Sequence, residues 1–340
     1  MNNSRKNLYN PIFSHIYIEK EAYNHPNTKK ILDNFKNSRI IEIAHYKEVF
    51  NRSRQNFVQQ KNSPSLILAV KNSGFLYEGA PVCQDFGNSH FYYTSCAMNC
   101  FYDCEYCYLQ GMYPSANIVV FVNLEEIFEE IKKVLLKHPV YLCISYDTDL
   151  LALESILHYS AKWLEFCRVN PALTVEIRTK SANLNFINDN RPCNNFILAW
   201  TLSPAAIINS YEHHTPSLDA RLACIKRAID KGFLVRLCFD PLIYENNWKE
   251  LYMDFIPDIF KLIPPDNVKD VSLGVFRISK DYLKNMKKQR KHSLITLYPY
   301  EMSEGVYHYG SISKEMITYV KELLLEWMPA DKIFIWKEGT

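Results

Sequence analysis

Three cysteines lie within eight residues in Cys100-Phe-Tyr-Asp-Cys104-Glu-Tyr-Cys107-Tyr-Leu-Gln110. Their C-x3-C-x2-C spacing is too tight for a useful disulfide framework, but three thiolates on one loop can surround a small inorganic group. Cysteine thiolates are the usual ligands of iron–sulfur clusters. Because a four-iron cluster needs four ligands, three cysteines from one loop leave one iron free to bind another molecule.

Two other interpretations of these cysteines stay open. A zinc site prefers two separated pairs of ligands, whereas this chain has a single C-x2-C pair that Cys96 or Cys83 would have to complete. Burial as an inert side chain is the commonest fate of one cysteine. Three cysteines at this spacing, at the end of a predicted strand, argue against that fate.

Short apolar runs alternate with amphipathic segments from residue 91 onwards. Buried strands separated by helices indicate βα units around a parallel sheet. Six such units predict an α/β fold with a partial (β/α)6 TIM-like barrel, in which reactive residues lie at the C-terminal ends of the strands. The predicted strands span residues 91–94, 140–145, 173–178, 196–202, 233–239 and 271–278.

The same patterns predict the helices and the division into domains. Helices are expected at 124–137, at 248–263, and between Ser217 as an N-cap and Gly232 as a C-terminal stop. Residues 1–90 form an N-terminal α/β extension with a helix at 27–36 and a strand at 66–70. Residues 91–280 form the barrel. Residues 281–340 form a C-terminal region with a substrate-facing hairpin, a last helix and a strand at 332–336.

The composition excludes several classes of protein. Of the 340 residues 48% are hydrophobic, which supports a large core and argues against intrinsic disorder. Thirty-nine basic against thirty-seven acidic residues give no global signature of a nucleic-acid binder. The nine glycines form no GxGxxG or P-loop motif. No apolar run approaches the roughly 18–20 residues of a membrane span, so we expect a soluble, cytoplasmic protein without a membrane partner.

The cysteine motif, with Tyr106 just before its last cysteine, resembles the radical S-adenosylmethionine superfamily. Members hold a [4Fe–4S] cluster whose unique iron chelates the amino and carboxylate groups of S-adenosylmethionine. One electron from the cluster cleaves the sulfonium and yields a 5′-deoxyadenosyl radical. The resemblance therefore implies Cys100, Cys104 and Cys107 as metal ligands, with a [4Fe–4S] cluster and S-adenosylmethionine as cofactors.

A narrower resemblance is to the spore photoproduct lyase family, radical enzymes that reverse the thymine dimer of UV-irradiated spore DNA. It covers most of the chain by motif. The matching segments are Cys107-Tyr-Leu-Gln110, Val119-Val-Phe-Val-Asn-Leu-Glu-Glu126, Tyr9-Asn-Pro-Ile-Phe13, Thr215-Pro-Ser-Leu-Asp-Ala-Arg221, Gly232-Phe233, Asp240-Pro-Leu-Ile-Tyr244 and Tyr309-Gly310. This likeness implies a carbon–carbon lyase that converts the spore photoproduct, 5-thyminyl-5,6-dihydrothymine, to two thymines.

Family resemblance also implies roles for single residues around the cofactor. A cysteine on the second barrel strand returns a hydrogen atom to the product radical, and Cys143 lies on that predicted strand. Matching the downstream Ser-x-Asp pattern instead puts Ile144 at the donor position, which would turn Cys143 to the other face. Tyr106 would lie beside the adenine, and Tyr108 would take part in the radical-return relay.

Three further residues at strand ends are implied as cofactor contacts. Lys180 matches a family lysine near the cofactor carboxylate, and Ser145 and Thr201 end their own predicted strands. A surface lysine and simply packed aromatic rings are the plain alternatives for Lys180, Tyr106 and Tyr108.

On the substrate side, the family uses a C-terminal hairpin as a wedge, with an Arg-Tyr pair near the lesion. Here the stretch is Gly305-Val-Tyr-His-Tyr-Gly310, so Tyr309 is kept while His308 stands at the arginine position. A dimer inside a duplex must be extruded before a buried radical can reach it. Lys284, Lys287, Lys288, Arg290 and Lys291 form a basic run suited either to a phosphate backbone or to a solvated helix face.

Three functions follow from these observations. The first is repair of the spore thymine dimer in damaged DNA, with a flavodoxin or ferredoxin as electron donor. The second is a lyase-like paralogue with the same cofactors acting on another substrate, which the His308 departure favours. A third, from another class, is a non-catalytic nucleic-acid-binding protein stabilised by zinc or a cluster.

Overall fold

The computed structural model of the chain describes residues 13–80 and 83–336. The matching segment that begins at Tyr9 therefore lies outside the described residues except for Phe13. The β-strands are β1 (His15–Glu19), β2 (Arg39–Ile43), β3 (Leu66–Ala69), β4 (Tyr77–Glu78), β5 (Phe91–Tyr93), β6 (Ala97–Met98), β7 (Asp103–Cys104), β8 (Ile118–Phe121), β9 (Val140–Cys143), β10 (Leu173–Thr179), β11 (Phe196–Thr201), β12 (Glu212–His213), β13 (Leu234–Leu242), β14 (Asp270–Val275), β15 (Ile278–Ser279), β16 (Glu301–Ser303), β17 (Val306–His308) and β18 (Ile333–Ile335).

Helices follow most of the strands, as the alternating pattern predicts. They are α1 (Pro26–Leu32), α2 (Lys47–Phe50), α3 (Phe57–Asn62), α4 (Leu109–Met112), α5 (Leu124–Leu135), α6 (Glu154–Leu157), α7 (Tyr159–Arg168), α8 (Leu184–Asp189), α9 (Ala205–Tyr211), α10 (Leu218–Asp230), α11 (Trp248–Leu262), α12 (Lys280–Gln289), α13 (Leu294–Leu297) and α14 (Ser311–Leu325).

The six predicted barrel strands are consecutive neighbours in one parallel sheet, in the order β5-β9-β10-β11-β13-β14. This confirms the partial barrel. The sheet continues into β18 at one edge and into the antiparallel β4 at the other, so within the described residues it ends in two open edges. Strands β9 and β11 are buried along their whole length, as expected for a parallel sheet covered on both faces.

The predicted helices form because their apolar residues recur at helical spacing. In α5, Ile127 and Ile131 are buried four residues apart against the core. Helix α10 begins as predicted, since Ser217 Oγ accepts a hydrogen bond from the Ala220 N–H at 3.3 Å. It ends just before Gly232, whose φ of +87° is accessible to glycine at little cost.

The N-terminal part contains more strands than its sequence pattern predicts. Strands β2, β1, β3 and β8 form a second parallel sheet, in that order, and the antiparallel β6 completes it. The predicted strand at 66–70 is present as β3, whereas β1 and β2 were not predicted. Since β6 and β8 follow β5 in sequence, the two sheets are interleaved beyond residue 90.

The C-terminal region supplies one wall of the cavity described below. Strands β16 and β17 pair as an antiparallel hairpin, and β17 also pairs with β15. Helix α12 packs against α4, where the Asn285 Nδ2–H group donates to the carbonyl of Gly111 at 2.9 Å. Over residues 13–80 and 83–336, no helix has the length and apolar character needed to cross a membrane.

Gly111 allows this close approach of α4 to α12, because a Cβ atom there would lie 2.5 Å from the carbonyl oxygen of Tyr282. We expect Gly111→Ala to lower the free energy of unfolding by about 1–3 kcal/mol, as overpacking does, measured by urea denaturation. The control is Lys284→Ala on the exposed face of α12, expected to change stability by no more than about 0.5 kcal/mol. Equal stability of the two variants would contradict the close packing.

Candidate active site

A cavity of about 570 Å³ opens at the C-terminal ends of the barrel strands. Parallel strands bring their C-terminal ends to one edge, so side chains distant in sequence meet there. Nine predicted site residues line this cavity together. They are Cys100, Cys104, Tyr106, Cys107, Tyr108, Cys143, Ser145, Lys180 and Thr201.

The cysteine loop is fixed by a short antiparallel pairing between β7 and β12. Cys104 lies opposite Glu212 in this pairing, and the Glu105 N–H donates to the Tyr211 carbonyl at 2.8 Å. His213 Nε2 lies 2.8 Å from Glu105 Oε1 on the outer side. The loop after the first barrel strand is thus attached to the segment that follows β11.

Lys61, a buried residue of α3, holds the same loop from the N-terminal side. Its Nζ donates to the carbonyl oxygens of Cys100 at 2.5 Å and Tyr102 at 2.8 Å. The two carbonyls would otherwise lack partners in a buried position, where an unmade hydrogen bond is costly. The loop conformation therefore depends on a residue of the N-terminal sheet domain.

Arg290 holds the loop from the C-terminal side. Its guanidinium pairs with Asp103 and donates to Gln110 Oε1 at 2.6 Å, while Gln110 Nε2 donates to the Glu105 carbonyl at 2.7 Å. Arg290 was expected to belong to a basic run, but this ion pair withdraws it from the surface. The four lysines of that run are exposed.

A buried carboxylate, Glu212, connects the predicted cofactor contacts. It accepts hydrogen bonds from Tyr106 Oη and from Arg221 Nη2, the latter at 2.5 Å, and lies 4.0 Å from Lys180 Nζ. Arg221 is fully buried and also donates to the Thr201 carbonyl at 3.1 Å. Lys180 Nζ lies 5.3 Å from the centre of the Tyr106 ring.

The charges of this network control its protonation. Burial acts to raise the pKa of Glu212, but Lys180, Arg221 and the Tyr106 hydrogen bond outweigh it, so the pKa lies below its ordinary value. Burial, reinforced by the charge of Glu212, holds the pKa of Tyr106 well above its ordinary range. The carboxylate is therefore charged and the phenol is protonated at neutral pH.

The backbone at Lys180 is positioned by Asp149, a buried residue of the loop after β9. Asp149 Oδ2 accepts from the Lys180 N–H at 2.7 Å, and Oδ1 accepts from Thr179 Oγ1 at 2.7 Å. Asp149, Glu212, Arg221 and Lys61 thus support the site, and the sequence analysis assigned no role to any of the four.

The three motif cysteines line the same cavity. Over residues 13–80 and 83–336, no three His, Cys, Asp or Glu side chains are arranged so that they could hold one metal ion. Burial, then the charge of Asp149, raises the pKa of Cys100 to about 12. Because metal ligands must be thiolates, loading this site has to displace protons.

Cys143, and not Ile144, faces the cavity. Alternate residues of this segment line the wall, namely Tyr141, Cys143 and Ser145, while Ile144 is buried in the core behind them. Burial, followed by the charge of Glu176, raises the pKa of Cys143 to about 12. The side chain is therefore a neutral thiol at pH 7 and retains an S–H hydrogen.

Tyr108 lies beside a second group of tyrosines. Its Oη donates to the Tyr146 carbonyl, and the Tyr146 ring stacks on Tyr93 with centroids 4.4 Å apart. Cys83 Sγ lies 2.9 Å from Tyr146 Oη and also lines the cavity. The thiol of Cys83 thus shares the cavity with that of Cys143. The sequence analysis considered Cys83 only as a possible zinc ligand.

Neither predicted substrate residue of the hairpin is among the described residues that line the cavity. His308 is buried, and its Nδ1 accepts from the Gly310 N–H at 3.0 Å. Tyr309 is buried in an aromatic cluster with Tyr244, and its ring contacts Phe276, which does line the cavity. The substrate role of His308 and Tyr309 therefore stays a prediction.

A partial barrel with a C-x3-C-x2-C loop at the C-terminal ends of its strands defines a radical S-adenosylmethionine enzyme. The family model described as spore photoproduct lyase matches residues 11–322. The chain belongs to the spore photoproduct lyase family, a family of radical S-adenosylmethionine lyases.

Curated relatives and solved structures agree with this placement. The chain is 20% identical to spore photoproduct lyase from a Geobacillus species, covering 77% of each chain, and 23% identical to that from Clostridium acetobutylicum, covering 72% of this chain and 73% of the relative. A cysteine-to-serine variant of spore photoproduct lyase superposes with a TM-score of 0.82 at 19% identity, covering 96% and 99% of the two chains. A double variant with bound AdoMet and dinucleoside spore photoproduct gives 0.80 at 19%, covering 97% and 99%.

Removing the charge of Glu212 tests the buried network. We expect Glu212→Gln to lower the free energy of unfolding by about 3–5 kcal/mol, because Arg221 is left as a buried charge without its carboxylate. The folded-state pKa of Glu212 is lowered, so its contribution is present above the unfolded pKa of about 4.3 and is lost as the pH falls through the folded value. Urea denaturation from pH 3 to 6 should therefore show a shallower pH slope for the variant.

The matched control is Glu130→Gln, which breaks an exposed i,i+3 ion pair with Lys133. Such surface pairs contribute about 0–1 kcal/mol. If the two variants have the same stability and the same pH slope, Glu212 does not carry the buried charge that the geometry assigns to it.

Proposed function

We propose that this chain repairs the spore photoproduct, 5-thyminyl-5,6-dihydrothymine, to two thymines by a radical mechanism. The observation that carries the proposal is the single cavity in which the three motif cysteines, the cofactor contacts and the thiol of Cys143 meet. Membership of the spore photoproduct lyase family supports the reaction. The binding of AdoMet and the dinucleoside lesion by solved relatives supports the substrate.

Cys100, Cys104 and Cys107 would hold a [4Fe–4S] cluster, leaving one iron for S-adenosylmethionine. When bound, this pair would supply a 5′-deoxyadenosyl radical for hydrogen abstraction at C6 of the lesion. Lys180 would bind the cofactor carboxylate, since it directly follows β10, lines the cavity and lies 4.0 Å from its carboxylate neighbour Glu212. Tyr106, Ser145 and Thr201 would complete the cofactor site.

Cys143 would return a hydrogen atom to the product radical after the methylene bridge breaks. Its S–H bond is weak enough to quench a carbon radical, and burial keeps the hydrogen on sulfur by raising the pKa to about 12. Tyr108 would take part in the relay that regenerates the cofactor, and its own pKa is raised well above the ordinary value by burial, which keeps its O–H hydrogen.

The physiological substrate would be the lesion within DNA, extruded from the duplex at a cost of a few kcal/mol. The hairpin β16–β17 flanks the cavity through Val306, which suits it as a wedge. The exposed lysines of α12 and the turn after it would contact the phosphate backbone. A flavodoxin- or ferredoxin-type protein would supply the electron.

Metal content separates the cluster from zinc. Anaerobic reconstitution should give about four irons and four labile sulfides per chain, with a brown chromophore, and Cys107→Ala should lose most of both. Cys96→Ala and Cys83→Ala are the controls and should keep the iron, since neither residue belongs to the motif. Bound zinc that disappears in Cys96→Ala or Cys83→Ala would instead support the zinc site.

Repair itself is tested with reduced enzyme, S-adenosylmethionine and a dinucleotide that carries the spore photoproduct. Wild type should release thymine dinucleotide, and Cys143→Ala should lose clean repair while still producing 5′-deoxyadenosine, because the cofactor site is intact. Cys193→Ala, outside the cavity-lining set, is the matched control and should repair normally. Accumulation of 5′-deoxyadenosine by wild type without thymine product would favour a paralogue with another substrate, and clean repair by Cys143→Ala would remove that residue from the mechanism.

A further inference from the structure

Three charged side chains follow one another on the cavity side of β10 and of the residue directly after it. Glu176, Arg178 and Lys180 are two residues apart and all line the cavity, as the period of a strand requires. Lys180 lies at the cofactor end, beside Tyr106. Glu176 lies opposite Cys143 in the register of β9 and β10. Arg178 is therefore placed between the cofactor end and the candidate hydrogen donor.

The neighbouring carboxylates already have cationic partners other than Arg178. Asp240 receives two hydrogen bonds from Arg277, at 2.7 and 3.2 Å. Asp270 and Glu176 both pair with the buried Arg236. Each of these three carboxylates is thus hydrogen-bonded without any contribution from Arg178.

Arg178 itself is left with unused donors. Its Nε lies 3.3 Å from Glu176 Oε1 and its Nη1 lies 3.9 Å from Asp240 Oδ2. Its side chain nevertheless makes no hydrogen bond to any residue in the described part of the chain, and its Nε is a buried donor without an acceptor. A guanidinium carries five N–H donors, and leaving such donors unmatched in a buried position costs free energy.

Arg178 is also held in place, because its backbone N–H donates to Ser145 Oγ at 2.6 Å. Its side chain is 30% exposed, toward the cavity that it lines. The side-chain donors of Arg178 therefore face the cavity between Lys180 and the strand position of Cys143. A substrate that contacts both the cofactor and Cys143 would pass these donors.

We propose that Arg178 recognises the lesion by donating hydrogen bonds to a carbonyl oxygen of one of its pyrimidine rings. This inference rests on the proposed function. In the ion-pair network that includes Arg178, the three arginines Arg178, Arg236 and Arg277 balance the three carboxylates Glu176, Asp240 and Asp270. Because this group is already neutral, it suits a neutral acceptor better than a phosphate. Arg178 is a substrate-recognition residue, and the hydrogen-atom transfer remains with Cys143.

Steady-state repair by Arg178→Gln and Arg178→Lys tests this role with two substrates, the dinucleoside lesion and the dinucleotide lesion that adds a phosphate. We expect the KM of Arg178→Gln for both substrates to rise about tenfold or more, the size expected for loss of charge-assisted hydrogen bonds. Arg178→Lys keeps the charge but not the planar fork, so it should show an intermediate rise. Formation of 5′-deoxyadenosine in the absence of lesion should be unchanged in both variants.

Arg168→Gln is the matched control, since Arg168 forms an exposed ion pair with Glu165 outside the cavity, and it should leave KM unchanged. Unchanged KM in Arg178→Gln for both substrates would overturn the proposal. A rise confined to the dinucleotide would assign the contact to the phosphate and overturn the carbonyl assignment. A lower melting temperature together with lost cofactor cleavage in both Arg178 variants would show a structural role and also overturn it.

Equilibrium binding of the dinucleoside lesion to unreduced wild type separates this proposal from the proposed function. If unreduced wild type binds the lesion but the reduced enzyme does not repair it, the proposed reaction fails while the proposed contact can still be tested. The affinity of Arg178→Gln for the lesion should then be about tenfold weaker than that of wild type. Absence of binding and of turnover by wild type would reject the lesion as substrate, and the role of Arg178 with it.

Discussion

The buried ion pair between Glu212 and Arg221 is the constraint on which the site depends. Neither charge is accessible to water, and a buried charge is tolerated only when its partners are all in place. Glu212 also lies opposite Cys104 in the β7–β12 pairing, so the same residue connects the ion pair to the cysteine loop. Glu212 also contacts Tyr106 and lies 4.0 Å from Lys180, the two residues predicted to contact the cofactor. A single carboxylate thus couples the folding of the segment after β11 to the shape of the loop after β5.

The sequence predicted the barrel and most of its site because both follow from short-range patterns. Apolar runs between helices identify β5, β9, β10, β11, β13 and β14, and the ends of parallel strands must meet at one edge. The cysteine spacing identifies the loop. Strand β2 was missed because its apolar run is short and largely exposed. Strand β1 is only five residues long and has charged or polar residues at both ends. The pairing of β8 with β3, and of β6 with β8, joins segments that are distant in sequence, and no local pattern predicts it.

The roles of single charged residues were the other feature that the sequence did not predict. Lys61, Arg178 and Glu212 lie in no motif, and Arg221 is only the last residue of a matching segment. Their significance depends on partners that are distant in sequence, such as Cys100 for Lys61 and Tyr106 for Glu212. Tyr309 shows another limit, because the motif that predicts its substrate contact does not reveal that its side chain is buried in an aromatic cluster. Identity to the solved relatives of only 18–19% with TM-scores of 0.80–0.82 fits this division. The cysteine motif can be recognised in the sequence at this low identity, whereas the partners of the surrounding charged residues are visible only in the structure.

The interleaving of the two sheets has a consequence for how the protein is divided in practice. Between the barrel strands β5 and β9, the chain forms three other strands. Strands β6 and β8 belong to the N-terminal sheet, and β7, which lies between them in sequence, pairs with β12. The segment that carries the three cysteines is therefore connected to the barrel sheet through β5 and to the N-terminal sheet through β6 and β8. A fragment that begins at the barrel would lose Lys61 and the strand that supports β8. The N-terminal sheet is thus not a detachable module, and a chimaera that exchanges barrels within the family has to exchange this sheet with them.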